Sequence, residues 1–170
     1  KGKMIGEVKD ILPSNIKVTS IRQHDALGLG HAILCARHLL DGKPFAVLLP
    51  DVLVLDKAER GDYFSFSEMM RAWEETGQGQ IMVEQVHIDS LGSYGVVDLG
   101  GNRAHAFVPS KVHSFVEKPI PQEAPSDLAI LGRYILPPEI WDVLERVEEG
   151  VGGEIQLTDA LDKLLIKSTL

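Results

Sequence analysis

Only one cysteine, Cys35, stands among the 170 residues, which excludes an internal disulfide and fits a reducing cytoplasm. Cations are also short: 17 Lys and Arg face 25 Asp and Glu, a formal net charge of -8. That balance argues against non-specific nucleic-acid binding, which needs cations to meet phosphates, and no Arg-rich or aromatic stripe repairs it. An anionic small ligand stays open, because one local cation can outweigh an average. The longest apolar stretches fall far short of the ~20 residues that span a bilayer, so no membrane partner is expected. There is no signal-peptide pattern, CxxC, Ser/His/Asp triad spacing, internal repeat or low-complexity tract. The chain begins with Lys1 rather than Met, so its true start is expected to lie upstream.

What is present is an ordinary globular composition, 44% hydrophobic and 25% charged, at the length of one domain. The pattern alternates. Ile16–Ile21 is a β-branched run and reads as a strand, and Leu27–Leu40 carries apolar residues at helical spacing. Phe45–Leu49 is an almost wholly apolar run and reads as a strand buried on both faces of a parallel sheet. Phe64–Thr76 reads as an amphipathic helix ended by Gly77. Strands follow at Gln80–Val86 and Tyr94–Leu99, the latter ended by "GGN" as a hairpin turn, then at Val112–Val116 and Leu128–Leu136. Glu117–Asp127 is Pro-rich and reads as a surface loop. Pro137–Pro138 opens a helix through Trp141 to Val147, and a last helix covers Leu157–Lys167. The first half is βαβαβ and the middle hairpin-rich, which suggests an α/β sheet with a mixed or antiparallel extension.

The chemistry-bearing positions stand at element ends. Pro50 cannot continue a ladder, so Asp51 falls just past the carboxyl end of its strand, where open α/β sheets bind ligands. From position alone it is either a Mg²⁺ ligand or a solvated turn aspartate, with Asp56 a further carboxylate or a loop residue. Gly28 and Gly30 enter a helix where backbone N–H groups could meet a flat or phosphorylated ligand, although neither the dinucleotide nor the Walker spacing is present. Glu117 and Lys118 are a surface charge pair or, if the strand breaks at Pro119, two groups reaching one cleft. His31, Cys35 and His38 share a helical face that is either packed or metal-ligating.

Taken together, "SIRQHDALGLGHAILCA", "VLLPDVLV", "GQIMVEQV", "SYGVVD", "VEKP", "LAILGRYIL" and "GGEIQLTDAL" resemble, in order and over almost the whole chain, the bacterial UTP–glucose-1-phosphate uridylyltransferases of the sugar-phosphate nucleotidyltransferase superfamily. The resemblance implies a Rossmann-like mixed α/β sheet flanked by helices, with residues 1–90 in the nucleotide-binding half and 91–170 in a hairpin-rich sugar-binding half of one partial domain. It implies that Gln23 and Gly28 read the uracil edge and that Asp51 binds Mg²⁺. It implies further that Tyr94 and Gly95 close over the hexose, that Glu117 takes the sugar hydroxyls, and that Lys118 neutralises the sugar phosphate. By the same resemblance Gly132 and Tyr134 fall where the family lines the sugar pocket, with Glu154 near it. The implied reaction joins UTP and glucose 1-phosphate into UDP-glucose and pyrophosphate by direct displacement, with Asp51 and Lys118 as the catalytic pair.

The family's opening Gly-rich, Arg-containing loop and its Pro-Lys-Glu segment, which hold the triphosphate, are not in this sequence. Nor is its C-terminal segment with a second metal-binding aspartate. The expectation is therefore a fragment that needs a complementing segment or self-association to cover exposed edges. The other reading is a non-catalytic module that binds a sugar nucleotide or serves assembly. A phospho-receiver domain would want an acidic pair at the end of an early strand, and Ile16–Gln23 offers none.

Overall fold

The computed structural model describes residues 13, 15–40, 42–54 and 64–167. In chain order these form α1 (Gly28–Leu40), β1 (Phe45–Leu48), α2 (Phe64–Thr76), β2 (Gln80–Gln85), β3 (Gly95–Asp98), β4 (Ser114–Glu117), β5 (Leu128–Leu136), α3 (Ile140–Leu144) and α4 (Leu157–Lys167). Short 3₁₀ turns lie at Ile88–Ser93, Pro121–Glu123 and Val151–Gly153. Asp56 lies outside the described residues.

Strand β5 is the most apolar and most buried run, and the sheet is built around it. It pairs with β1 through Phe45↔Leu136 to Leu48↔Arg133, with β2 through Gln80↔Ile135 to Gln85↔Leu128, and with β3 at Val96↔Ala129. β3 in turn pairs with β4, from Gly95↔Glu117 to Asp98↔Ser114. Every one of these pairings is antiparallel.

Three expectations are corrected here. Phe45–Leu49 does not sit in a parallel ladder buried on both faces: β1 runs antiparallel to β5, and Ala46 and Leu48 are exposed. β1 and β2 do run in the same direction, but each bonds to β5 and not to the other. Ile16–Ile21 is not a strand. Ile16, Val18 and Ile21 are exposed, and no described strand offers this run a ladder; without a partner, β-branched propensity alone does not make one. The "GGN" turn also differs. Asn102 N–H returns to Leu99 O at 3.2 Å, yet β4 begins only at Ser114, so the connection is long, with an isolated bridge between His105 and Val108.

The core lies where α1, α3 and α4 meet the sheet. Val97, Leu136, Ile140, Leu144 and Ala160 are essentially inaccessible, and each large aliphatic side chain buried this way contributes roughly 1.5–3 kcal/mol. Phe45 stacks on Trp141 with ring centroids 4.6 Å apart and planes at 16°. On β4, the Phe115 N–H is taken by Asp162 Oδ1 of α4 at 3.0 Å, which covers an edge that would otherwise present open backbone. A second helix–strand bond, two residues along β4, builds the site.

Candidate functional site

A cleft of about 310 Å³ opens where the ends of β1, β3, β4 and α4 converge on the middle of β5. Asp51, Tyr94, Gly95, Glu117, Lys118, Gly132, Tyr134 and Glu154 all line it. Residues from separate stretches of chain thus share one cavity. Gln23 and Gly28 stand beside it and not in its wall. Gln23 Nε2 donates to Gly28 O at 3.1 Å and lies 2.9 Å from His31 Nδ1. The start of α1 is tied to the cleft rim by Ile155 N–H to Leu27 O (2.8 Å) and Gly30 N–H to Ile155 O (2.9 Å).

Glu117 and Lys118 reach the same cavity for a backbone reason. β4 ends at Glu117, and Lys118 adopts φ +44° with its N–H on Tyr94 O at 3.0 Å. In a continuing strand the two side chains would part to opposite faces; the left-handed step turns Lys118 back. Its Nζ then lies 3.6 Å from Glu117 Oε1. A non-glycine residue in this region is strained by roughly 1 kcal/mol or more, and such strain gathers at functional sites.

The other carboxylate oxygen is held from α4. Thr158 Oγ1 donates to Glu117 Oε2 at 2.8 Å, and both Thr158 and Gln156 are buried. Gln156 Nε2 donates to Glu154 Oε2 at 3.0 Å. Gly95 keeps this corner open, because a Cβ there would stand 2.7 Å from Thr158 Cγ2 and 3.2 Å from Glu117 Oε2. The sequence motifs do not single out Thr158 and Gln156, although both sit in the quoted "GGEIQLTDAL"; Gln156 directly precedes α4 and Thr158 is its second residue, and no local pattern marks their partners. Tyr134 lies at the base, its phenol pushed above the usual range by burial and then by the nearby Glu117 and Asp51 carboxylates.

Among the described lining residues, three carboxylates (Asp51, Glu117, Glu154) face one ammonium, Lys118. Such a wall repels anionic substrates unless a divalent cation joins it. Mg²⁺ is commonly bound through one or two carboxylates plus substrate phosphates. An exposed Asp51 at the cleft wall fits that donor set, and no group of three His, Cys, Asp or Glu forms a protein-only cage among the described residues. The His31, Cys35 and His38 face makes no such cage: Cys35 Sγ is 4.0 Å from His31 Nε2, and Gln23 occupies Nδ1.

The sequence profile of the family described as nucleotidyl transferase matches residues 3–169. The chain belongs to that family. It is 44% identical to the UTP–glucose-1-phosphate uridylyltransferase of Haemophilus influenzae over 170 residues, covering all of this chain and 58% of that protein. Against the Escherichia coli K12 enzyme of the same name the identity is 42%, covering 56% of that protein. Among solved structures, a UDP-glucose pyrophosphorylase in complex with UDP-glucose superposes with a TM-score of 0.84 at 30% identity, covering 97% of this chain and 60% of that one. The UTP-bound enzyme from Acinetobacter baumannii gives 0.81 at 38% identity, covering 97% and 55%. The nucleotidyltransferase fold expected from the motifs is borne out, and the chain spans between half and two thirds of the length of these relatives.

Proposed function

We propose that this chain carries the sugar side and the base-reading edge of a uridylyltransferase that makes UDP-glucose and pyrophosphate from UTP and glucose 1-phosphate. The observation that supports this best is the Thr158–Glu117–Lys118 row facing Asp51 across one cleft. Glu117, with one oxygen held by Thr158, keeps the other available to accept from sugar hydroxyls. Lys118, turned into the cleft, meets the sugar phosphate and offsets charge developing during transfer. Tyr94 and Gly95 close over the hexose, Gly132 and Tyr134 form its floor, and Gln23 with Gly28 addresses the uracil edge.

Asp51 is the residue that would hold Mg²⁺, which when bound neutralises phosphate charge and favours in-line displacement at phosphorus. The chain's own contribution is then alignment: the sugar-phosphate oxygen is brought to the α-phosphorus without a covalent protein intermediate. We place the protein in the cytoplasm, consistent with one unpaired Cys35. We also propose self-association or a complementing segment against the exposed Ile16, Val18 and Ile21 run.

Calorimetric titration of the chain with UDP-glucose, with and without Mg²⁺ and beside Asp51→Ala, tests the reading. Mg²⁺-dependent binding that weakens in the variant supports it. Tight binding with no turnover, even with UTP, glucose 1-phosphate and Mg²⁺ together, favours the non-catalytic module. No binding by folded protein overturns both.

A further inference from the structure

Arg133 is partly buried and does not line the cleft, yet its guanidinium reaches the backbone on both sides of Asp51. Nη1 donates to Leu49 O at 2.7 Å and to Gly132 O at 3.1 Å, and Nη2 donates to Val52 O at 2.6 Å. Leu49 and Val52 bracket Pro50 and Asp51. The same turn is seated from below. Gly132 interrupts β5 with φ +63°, its carbonyl accepts from Leu49 N–H at 2.9 Å, and a Cβ at Gly132 would stand 2.9 Å from Leu49 Cβ. The turn that carries Asp51 therefore has two fixed ends and one planar fork holding them. A guanidinium presents its donors in rigid geometry, which a single rotating ammonium cannot reproduce.

We infer that Arg133 is a positioning residue, which locks the Leu49–Val52 turn so that the Asp51 carboxylate stays fixed in the cleft; this rests on the reading of Asp51 as the metal-binding carboxylate. Its charge is spent on backbone carbonyls and not on a substrate phosphate. Groups that orient a metal ligand without touching the metal typically change metal affinity by about 10–100-fold when removed.

The test uses the 170-residue chain with UDP-glucose present and follows Mn²⁺ binding by electron paramagnetic resonance in the parent, Asp51→Ala, Arg133→Lys and Arg133→Met. Hydrogen exchange of the Asp51–Val54 amides is measured in the same proteins. Loss of Mn²⁺ binding in Asp51→Ala, with roughly tenfold weakening and faster exchange in both Arg133 variants, is the result expected. Parent-like binding and exchange in the Arg133 variants, while Asp51→Ala loses the ion, would overturn the inference and leave the metal reading standing. Parent-like binding in Asp51→Ala, or no Mn²⁺ binding by the parent, would overturn the metal reading, and with it the role in metal binding; exchange then decides whether Arg133 locks the turn. If Arg133→Met does not fold, Arg133→Lys carries both measurements.

Discussion

The Thr158 hydroxyl donates to Glu117 across 41 residues of chain and 2.8 Å of space. This bond fixes one oxygen of a carboxylate whose side chain is only 14% exposed and leaves the other beside Lys118. A hydrogen bond to a charged group is worth about 1.5–3 kcal/mol. Thr158→Val keeps the shape and removes the donor, so the glucose 1-phosphate affinity should fall by roughly tenfold or more. Thr158→Ser should restore most of it. Calorimetry on the three proteins decides the matter, and equal affinity in Thr158→Val would remove Thr158 from the site.

Lys118 allows strain and charge to be separated. Lys118→Gly relieves the φ +44° backbone and removes the ammonium. Its thermal midpoint should match or exceed that of the parent while sugar-phosphate binding drops. Lys118→Val should lose both, since a side chain branched at Cβ is strained there by roughly 1–2 kcal/mol. A large drop in the midpoint of Lys118→Gly would show that the left-handed turn is held for stability and not for aiming the ammonium.

Tyr134 sets a pH dependence at the alkaline end. Its phenol is raised by burial, with Glu117 and Asp51 adding to the effect, so the folded chain keeps a proton that the unfolded chain releases near pH 10. The stability gained is complete below that pH and is lost as pH rises above it, by up to about 1.4 kcal/mol per pH unit. Urea midpoints measured between pH 9 and 12, a window of about 3 units around the ordinary tyrosine value, should fall more steeply in the parent than in Tyr134→Phe. Parallel slopes would contradict this environment for the phenol.

Asp162 should matter through the backbone it covers. Asp162→Ala leaves the half-buried Phe115 N–H without its acceptor, a loss of about 1–3 kcal/mol. Asp162→Asn, which keeps an acceptor oxygen, should recover most of it. Chemical denaturation reads both, and identical midpoints for Asp162→Ala and the parent would mean water replaces the carboxylate at no loss.

Long runs with clear periodicity were legible in the sequence: Phe64–Thr76, Leu128–Leu136 and Leu157–Lys167 appear with those bounds. Apolarity misled at Phe45–Leu49, because composition does not report which neighbour arrives; Leu48 is 54% exposed, and Leu53 just beyond is 81% exposed. Asp51, Glu117 and Lys118 were legible as residues stranded at element ends. Their supports were not. Thr158 and Arg133 act on partners 41 and 84 residues away, and nothing local in "QLTDA" or "LGRYI" marks a bond of that span. The glycine inside β5 was the one local sign that another backbone approaches there.

The three-fold pairing of β5 also orders how this sheet can assemble. Among the described residues, β1 and β2 both find their ladder in Leu128–Leu136, far downstream, so these pairings wait until that strand has been made. β3 and β4 pair with each other and can form early, whereas the β1 pairing with β5 waits until most of the described chain has been made. Closing so long a loop before any contact repays it is slow. The strand that gathers the cleft thus also carries the most distant pairings of the described sheet.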